Sequence, residues 1–415
     1  MVTLLKLKVV NNMKYDVVII GGGPAGMMAA ISASSLGAKV ILIEKNKKLG
    51  NKLLLTGGGR CNLTCITENN REFSQKFGKN GNFLMSPLSV FNFDNTLEFF
   101  EKLELKKEGS KVYPLSNKAK DVLAFLNDLL KKNKVKMLTS SSVNKFNINE
   151  NKIEGVVLDD GKVIEGDSYI ICTGGKSYPT TGSSGDAFDW NIGHTVTELN
   201  PSLTPVEIQE KWIKSLQGIS LNDIGLSVNE KKHNGEILFT HFGFSGPLIL
   251  DISKEIGEKL KEGKVKLYLD LFPGMTLEDL NIHFQKSVNK NRLVLKYLST
   301  IIPEKLVHFI INFSSVPKSR RLNNLTKEER LRLIKVLKKI EFNVVGLLGF
   351  DKAMITSGGF SLKEIDSKNM KSKIIDNLYF AGEAIDVDGP SGGYNLQVCW
   401  TTGYVAGINS VKKND

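Results

Sequence analysis

An α/β protein built on a parallel sheet, interrupted by a β-rich insertion and a small helical stretch, is the fold class that this 415-residue sequence predicts. Three observations predict it. An apolar run from Asp16 to Ile20 leads through Gly21-Gly22-Gly23 into a small-residue helical pattern reaching Ser35, which reads as strand, glycine turn and helix. A second apolar run, Val40 to Ile43, ends on an acid, Glu44. Far downstream, Leu378 to Phe380 reads as another strand, and a glycine-rich turn leads from it into a second small-residue helix. The chain exceeds one compact core of ordinary size, so two or three packed units are expected.

The first element carries a nucleotide signal. Gly21, Gly23 and Gly26 fit G-x-G-x-x-G, with Pro24 and Ala25 in the turn. The first glycine permits the tight turn, the second lets pyrophosphate approach, and the third lets helix pack on strand. The helix N-terminus offers free N–H groups and a partial positive charge to phosphate. Glu44, with Lys45 beside it, stands where a carboxylate accepts hydrogen bonds from a ribose diol and repels a 2′-phosphate. Strand, turn, helix, second strand and terminal acid together predict a Rossmann-type dinucleotide site.

The next segment, "LLLTGGGRCNLTC" at 53–65, sets three glycines before Arg60-Cys61-Asn62. Glycine there provides φ > 0 and lets main-chain N–H groups meet phosphate, ribityl or ring atoms without interference from Cβ. A second glycine cluster so soon after a dinucleotide fingerprint is expected of FAD enzymes. Thr56, Gly57, Gly58, Gly59, Arg60, Cys61 and Asn62 are therefore expected at the cofactor, with Arg60 pairing a phosphate or carboxylate and Asn62 offering amide hydrogen bonds. Cys61 and Cys65 raise a rival chemistry, a thiol-disulfide flavoreductase. Their Cys-x3-Cys spacing differs from the Cys-x4-Cys of that family, and the chain has no second G-x-G-x-x-G for a separate NAD domain.

The chain returns to the cofactor twice. Tyr169 to Cys172 reads as a buried strand ending in Thr173-Gly174-Gly175, where main chain passes under a bound dinucleotide, and Ser177, Tyr178 and Thr181 add hydroxyls nearby. After Leu378 to Phe380 come Gly382 and Glu383, then Asp386, whose carboxylates suit ribityl or ribose hydroxyls. Gly392-Gly393-Tyr394-Asn395 then opens a helix whose N–H groups would face an anion or the electron-rich edge of a flavin, stabilising its reduced form.

Five stretches, "GGGPAGMMAA", "LLLTGGGRCNLT", "GGKSYPTTGSSGDAF", "THFGFSGPLIL" and "FAGEAIDVDGPSGGYNLQ", resemble the BaiN-type, or HI0933-like, family of flavoproteins, and the resemblance runs through nearly the whole chain. It implies FAD as cofactor, NADH or NADPH as transient electron donor, and for one branch reduction of ring C=C bonds conjugated with a ketone in bile-acid intermediates. Family sequences often carry asparagine where this chain has Cys65, so the resemblance implies no redox pair.

Domain organisation follows from changes of pattern. Residues 1–12 read as an N-terminal extension without function, with Met13 an alternative start. Residues 13–195 and 356–415 form a discontinuous Rossmann-type FAD-binding domain. Between them, short strand patterns separated by turns predict an inserted β-rich substrate subdomain over 196–276 and 340–355, and mixed Leu, Ile, Lys and Glu predict a small helical subdomain over 277–339. "THFGFSGP" in the insert supplies His241, the best single candidate for a proton donor because an unperturbed imidazole titrates near neutrality; Tyr178 and Tyr394 are the alternatives.

Composition bounds the partners. The net charge of +12 comes almost wholly from lysines scattered along the chain rather than gathered in one arginine-bearing stripe, so no nucleic-acid partner is expected. Four cysteines without repeated metal spacing predict a reducing cytoplasm and no metal. No apolar run approaches the ~18 residues of a membrane span. The sequence therefore predicts a cytoplasmic FAD oxidoreductase that moves hydride from NAD(P)H to a small enone-like molecule. A thiol-disulfide reductase and a non-catalytic flavin-binding module are the rivals.

Overall fold

The computed structural model describes residues 14–286 and 291–412, so the extension 1–12 lies outside the described residues. The chain divides into one unit of residues 1–200 and 354–415 and a second of residues 201–353.

The first unit opens with strand β1 (Tyr15–Ile20), helix α1 (Pro24–Ser35) and strand β2 (Val40–Ile43). Helix α1 is buried from Ala25 through Ala33, on every face, because it is covered on both sides. Helix α2 (Ala119–Lys132) shows the opposite pattern: Ala119, Val122, Leu126 and Leu130 form one buried stripe and Lys131 and Lys132 end it. Strands β3 (Lys136–Leu138) and β4 (Gly166–Ile171) follow.

The second unit is a closed barrel with appended helices. Its elements are β5 (Val206–Ile208), β6 (Ser220–Val228), β7 (Lys231–Phe239), β8 (Gly243–Ser245), α3 (Pro247–Glu262) and β9 (Lys266–Asp270). Among the described residues four helices come next, α4 (Leu277–Lys286), α5 (Val294–Leu298), α6 (Glu304–Phe313) and α7 (Lys327–Lys338), before β10 (Ile340–Leu347). The barrel order is β5-β8-β7-β6-β9-β10, with every pairing antiparallel. Closure leaves no free edge. Alternation sends Leu226, Val228, Leu267 and Leu269 inside. Helix α7 begins with a capping box in which Thr326 and Glu329 satisfy each other's main-chain N–H.

The chain then returns to the first unit with β11 (Ile365–Asp366), β12 (Lys371–Ser372), β13 (Leu378–Phe380) and helix α8 (Tyr394–Ser410). The sheet runs β11-β12-β13-β4-β1-β2-β3. Its five strands from β13 to β3 pair in parallel, and the β11-β12 hairpin adds an antiparallel edge. The sheet reverses direction of build between β1 and β4, and ligands of open α/β sheets lie off the strand ends at such a point. Helix α8 packs on α1 main chain to main chain: a Cβ on Gly403 would fall 2.5 Å from the Ala25 carbonyl oxygen, and one on Gly407 2.5 Å from that of Ala29.

Candidate dinucleotide site

Where β1 leaves the sheet, Gly21 adopts φ +104, and a Cβ there would meet the Cys172 carbonyl oxygen at 2.5 Å. A Cβ on Gly26 would lie 1.9 Å from the Gly21 carbonyl oxygen. Protein packing alone therefore requires these two glycines. Gly23 is different. Its φ of −79 suits any residue, and a Cβ there would have no protein atom within 4 Å. It lines a cavity of about 980 Å³, counted to its open mouth, together with Gly21, Gly22, Pro24 and Ala25. Pro24, at the first helical position, has no N–H to lose, and the donors that follow it lack helical partners.

Glu44 ends β2 at the wall of the same cavity and is 9% exposed. One carboxylate oxygen accepts from the Gly22 N–H at 2.7 Å, and the other from the main-chain and side-chain N–H of Asn46 at 2.8 Å each. The Asn46 amide also donates to the Thr181 carbonyl at 3.0 Å, tying this corner to the loop after β4. Lys45 points to an adjoining cavity, where its ammonium pairs with Asp186 at 2.5 Å and donates to Ser184. Burial pushes the Asp186 carboxyl up, and the hydrogen bonds from Lys45 and Ser184 override it, leaving the group below its ordinary value.

A polar ring joins three segments on another side. Lys52 pairs with Glu383 at 2.7 Å and donates to the Ser177 hydroxyl at 2.7 Å. The Ser177 hydroxyl donates to the second Glu383 oxygen at 2.9 Å, which also accepts the Thr356 N–H at 2.7 Å. The Thr356 hydroxyl accepts the N–H groups of Lys176 and Ser177. Gly175 allows the ring to close, since a Cβ there would strike the Thr356 hydroxyl at 2.4 Å and Glu383 at 2.8 Å. Lys52, Asn46, Met354 and Ile355 line the cavity and were not singled out in the sequence. Lys52 stands in "GNKLLLT", where nothing local marks it off from the chain's many surface lysines.

Residues 15–409 match the HI0933-like protein Rossmann domain family. The chain belongs to this family. A 3-dehydro-bile acid delta(4,6)-reductase of Clostridium scindens is 32% identical over 403 residues, which cover 94% of this chain and 97% of that protein. A ribosomal RNA dihydrouridine synthase of Haemophilus influenzae is 28% identical over 401 residues, 94% of this chain and 97% of its own. In fold, the chain is similar to the open conformation of a flavocytochrome c3 fumarate reductase, at a TM-score of 0.53 and 17% identity over 97% of this chain and 79% of that one.

The residues of this family member fit a dinucleotide by two observations. Gly23 presents bare main chain to open space that neither backbone strain nor protein packing explains. The Thr173 hydroxyl, in the cavity wall, is buried without a hydrogen-bond partner, and an orphaned buried hydroxyl is costly unless a ligand completes it.

The other residues singled out in the sequence are distributed as follows. Thr56, Gly174, Glu383 and Asn395 line the cavity. Gly57, Gly58 and Gly59, with φ of +57, +66 and +86, turn the chain next to it without lining it. Arg60 reaches Glu108 at 2.7 Å and Asn117 at 3.1 Å, and its guanidinium lies 3.9 Å from the centroid of the Tyr113 ring. Arg60 and Lys106 hold the Glu108 carboxyl down at about 2. The Asn62 amide oxygen accepts the Val112 N–H at 3.1 Å, and the Asn395 amide braces the Gly389-Pro390 turn. Gly393 is required by packing, since a Cβ would come within 2.5 Å of the Thr64 main chain. Gly382 sits against Ala25 of α1, a Cβ on it falling 2.7 Å from that methyl. Asp386 and Gly392 lie outside the lining, and the Asp386 carbonyl accepts the Asn80 amide at 2.7 Å. The Tyr394 ring packs on Phe73 at 5.0 Å and edge-on to Phe77 at 6.1 Å. Tyr178 is half-buried at φ 52, in the loop that carries Ser177 and Thr181. His241 is exposed in the turn between β7 and β8 of the barrel unit.

Cys61 and Cys65 are both free and both buried, and neither lines the cavity. Burial pushes the Cys61 thiol up to about 12, which suppresses the thiolate that disulfide exchange requires. Among the described residues no group of three or more His, Cys, Asp or Glu could hold a metal, and no helix is long and apolar enough to cross a membrane.

Proposed function

We propose that this chain is an FAD-dependent reductase that draws electrons from NADH or NADPH and saturates a C=C bond conjugated with a ring carbonyl. The observation that carries the reading is the cavity of the first unit, where bare Gly23, the orphaned Thr173 hydroxyl and the Glu44 carboxylate stand together. Bound FAD would supply the hydride chemistry. Gly23 and the first turn of α1 would take the pyrophosphate, Glu44 the adenosine ribose, Thr173 a polar atom of the dinucleotide, and the start of α8 at Asn395 and Leu396 the opposite wall. The Lys52-Glu383-Ser177-Thr356 ring holds the three segments that shape the wall between them.

Reduction of a conjugated C=C needs a proton on the carbon next to the carbonyl as well as hydride on the far one. Of the three candidate donors, Tyr178 belongs to the loop that lines the cavity, and we assign the proton to it, with His241 and Tyr394 as the alternatives. Tyr178→Phe is expected to slow substrate reduction by about 100-fold while flavin binding and reduction by NAD(P)H stay intact.

The first substrate reading is a steroid-like enone, supported by the bile-acid reductase with which the chain shares 32% identity along nearly its whole length. A second reading is the uracil ring within RNA, supported by the ribosomal RNA dihydrouridine synthase that is similar over an equal share of the chain. The two ask for one chemistry, since the C=C of uracil is conjugated with a ring carbonyl just as a 3-oxo-4-ene is. The test is an absorbance spectrum of the purified protein, followed by anaerobic titration with NADH and NADPH and reoxidation by steroid enones, unmodified ribosomal RNA, quinones and disulfides. Flavin bleaching by one nicotinamide and recovery with an enone or RNA is expected; protein that is colourless and takes up no FAD refutes the proposal.

A further inference from the structure

The outer wall of the barrel carries a groove of about 1960 Å³, counted to its open mouth and formed wholly within residues 225–339. The strand register builds its floor. β6 pairs with β9 and β7 so that Lys232, Ser227 and Tyr268 form one row and Asn234, Gly225 and Asp270 another. Their neighbours Leu226, Val228, Leu267 and Leu269, at most 1% exposed, fill the barrel, so alternation turns both rows outward. Serine and glycine at the centre of the rows sink the floor. The walls are the loop 273–277 and the end of α7 with Lys335, Lys338 and Lys339.

The cations of this groove differ in what they are free to do. Lys338 is committed to the fold, pairing with Asp270 at 2.6 Å and donating to the carbonyls of Phe272 and Met275. Lys339 lies over the Tyr268 ring, 4.2 Å from its centroid. Lys232 and Lys335 are exposed and have no acidic partner among the described residues. With Lys338 and Asp270 cancelling, three cations face one remaining acid, Glu230. The whole second unit is basic, with 24 Lys and Arg against 17 Asp and Glu. In sequence Lys232 lies about a hundred positions from Lys335, Lys338 and Lys339, and the barrel brings it to the same groove beside an aromatic ring.

A sunken cationic channel with an aromatic floor fits a flexible polyanion that carries flat rings: lysines track phosphates and the ring stacks a base. A flat anionic membrane surface would not reach that floor. We propose that the groove is a binding site for single-stranded RNA, with phosphates held by Lys232, Lys335 and Lys339 and a base stacked on Tyr268 where the Lys339 ammonium now lies. This rests on the second substrate reading, and it assigns that substrate a docking site of its own.

The test uses the FAD-loaded full chain and a fluorescent 12-residue oligouridylate, read by anisotropy across a salt series. Lys335→Glu with Lys339→Glu is expected to weaken binding more than tenfold and to reduce the slope of log affinity on log salt by about 1.4, for two phosphates at ~0.7 each. Tyr268→Ala is expected to weaken binding about tenfold with the slope unchanged. Unaltered flavin absorbance, thermal midpoint and reduction of a small enone show that the variants are folded. If the double variant binds the oligonucleotide and forms dihydrouridine in ribosomal RNA as the wild type does, the groove assignment is overturned and the RNA reading stands. If the wild type neither binds RNA nor modifies it, both fall. Equal lysine-dependent binding to phosphatidylserine vesicles overturns RNA as the occupant.

Discussion

Replacing Gly23 with alanine separates ligand binding from folding. Its φ of −79 is open to alanine, and the new methyl would touch no protein atom within 4 Å. The apo protein is therefore expected to keep or slightly gain stability, by about 0.4–1 kcal/mol, because alanine restricts the unfolded chain. The methyl would instead enter the open space that we assign to the dinucleotide. Overpacking of this kind costs ~1–3 kcal/mol, and at about 2 kcal/mol FAD affinity falls some thirtyfold. Gly26→Ala supplies the contrast. Its methyl would fall 1.9 Å from the Gly21 carbonyl oxygen, a main-chain atom with no room to move, so that variant should lose stability before any ligand is added. The assay is thermal unfolding of both apo variants beside FAD titration by flavin fluorescence quenching. Wild-type FAD affinity in a folded Gly23→Ala protein would refute the argument that this bare main chain exists for the cofactor.

Three further outcomes are expected. Lys52→Met strands the Glu383 carboxylate among Ser177 and Thr356; both partners are partly exposed, at 22% and 16%, so the loss is about 2 kcal/mol rather than the ~3–5 of a fully buried pair, a fall of about 4–8 °C in the melting midpoint, and Lys52→Met with Glu383→Gln should recover part of it. His194, held by Ser372 and the Ile192 carbonyl, has its basicity lowered by burial; the unfolded chain then binds its proton more readily, so stability is full above the ordinary imidazole value and declines as pH falls through about 6.5, and His194→Asn should flatten the fall in melting midpoint between pH 7 and pH 5. Cys61, its thiol raised to about 12, should resist iodoacetamide at pH 8 until the protein is unfolded, and Cys61→Ser with Cys65→Ser should leave the proposed NAD(P)H oxidation unchanged; loss of turnover would restore the thiol-disulfide reading.

What the sequence made legible was local. Strand, glycine turn, helix and terminal acid lie within 30 residues, and the periods of burial and the turn chemistry can be read without knowing the rest of the fold. The strands Val40–Ile43 and Leu378–Phe380 stand where the apolar runs place them. Lys52 was illegible because its meaning is Glu383, 331 residues away. Arg60 suits a phosphate by residue type, yet Glu108, Tyr113 and Asn117 claim it, and only tertiary packing brings them within reach. Lys335, Lys338 and Lys339 are neighbours already at the end of α7, but nothing local joins them to Lys232, which strand register sets in the same groove. The glycines divide likewise into those that the protein's own main chain demands, such as Gly21 and Gly26, and Gly23, which it does not.

The interlock of α1 with α8 has a consequence for how the protein matures. The turn that would receive pyrophosphate is among the first pieces of the chain to be made, but the helix lying against it through Gly403 and Gly407 is made some 370 residues later. Until that helix has left the ribosome, the nascent first unit exposes the buried face of α1 and lacks one side of its cavity. On the proposed reading, loading with the yellow prosthetic group would wait until α8 has been made, and a chain terminated before it would be expected to have no colour.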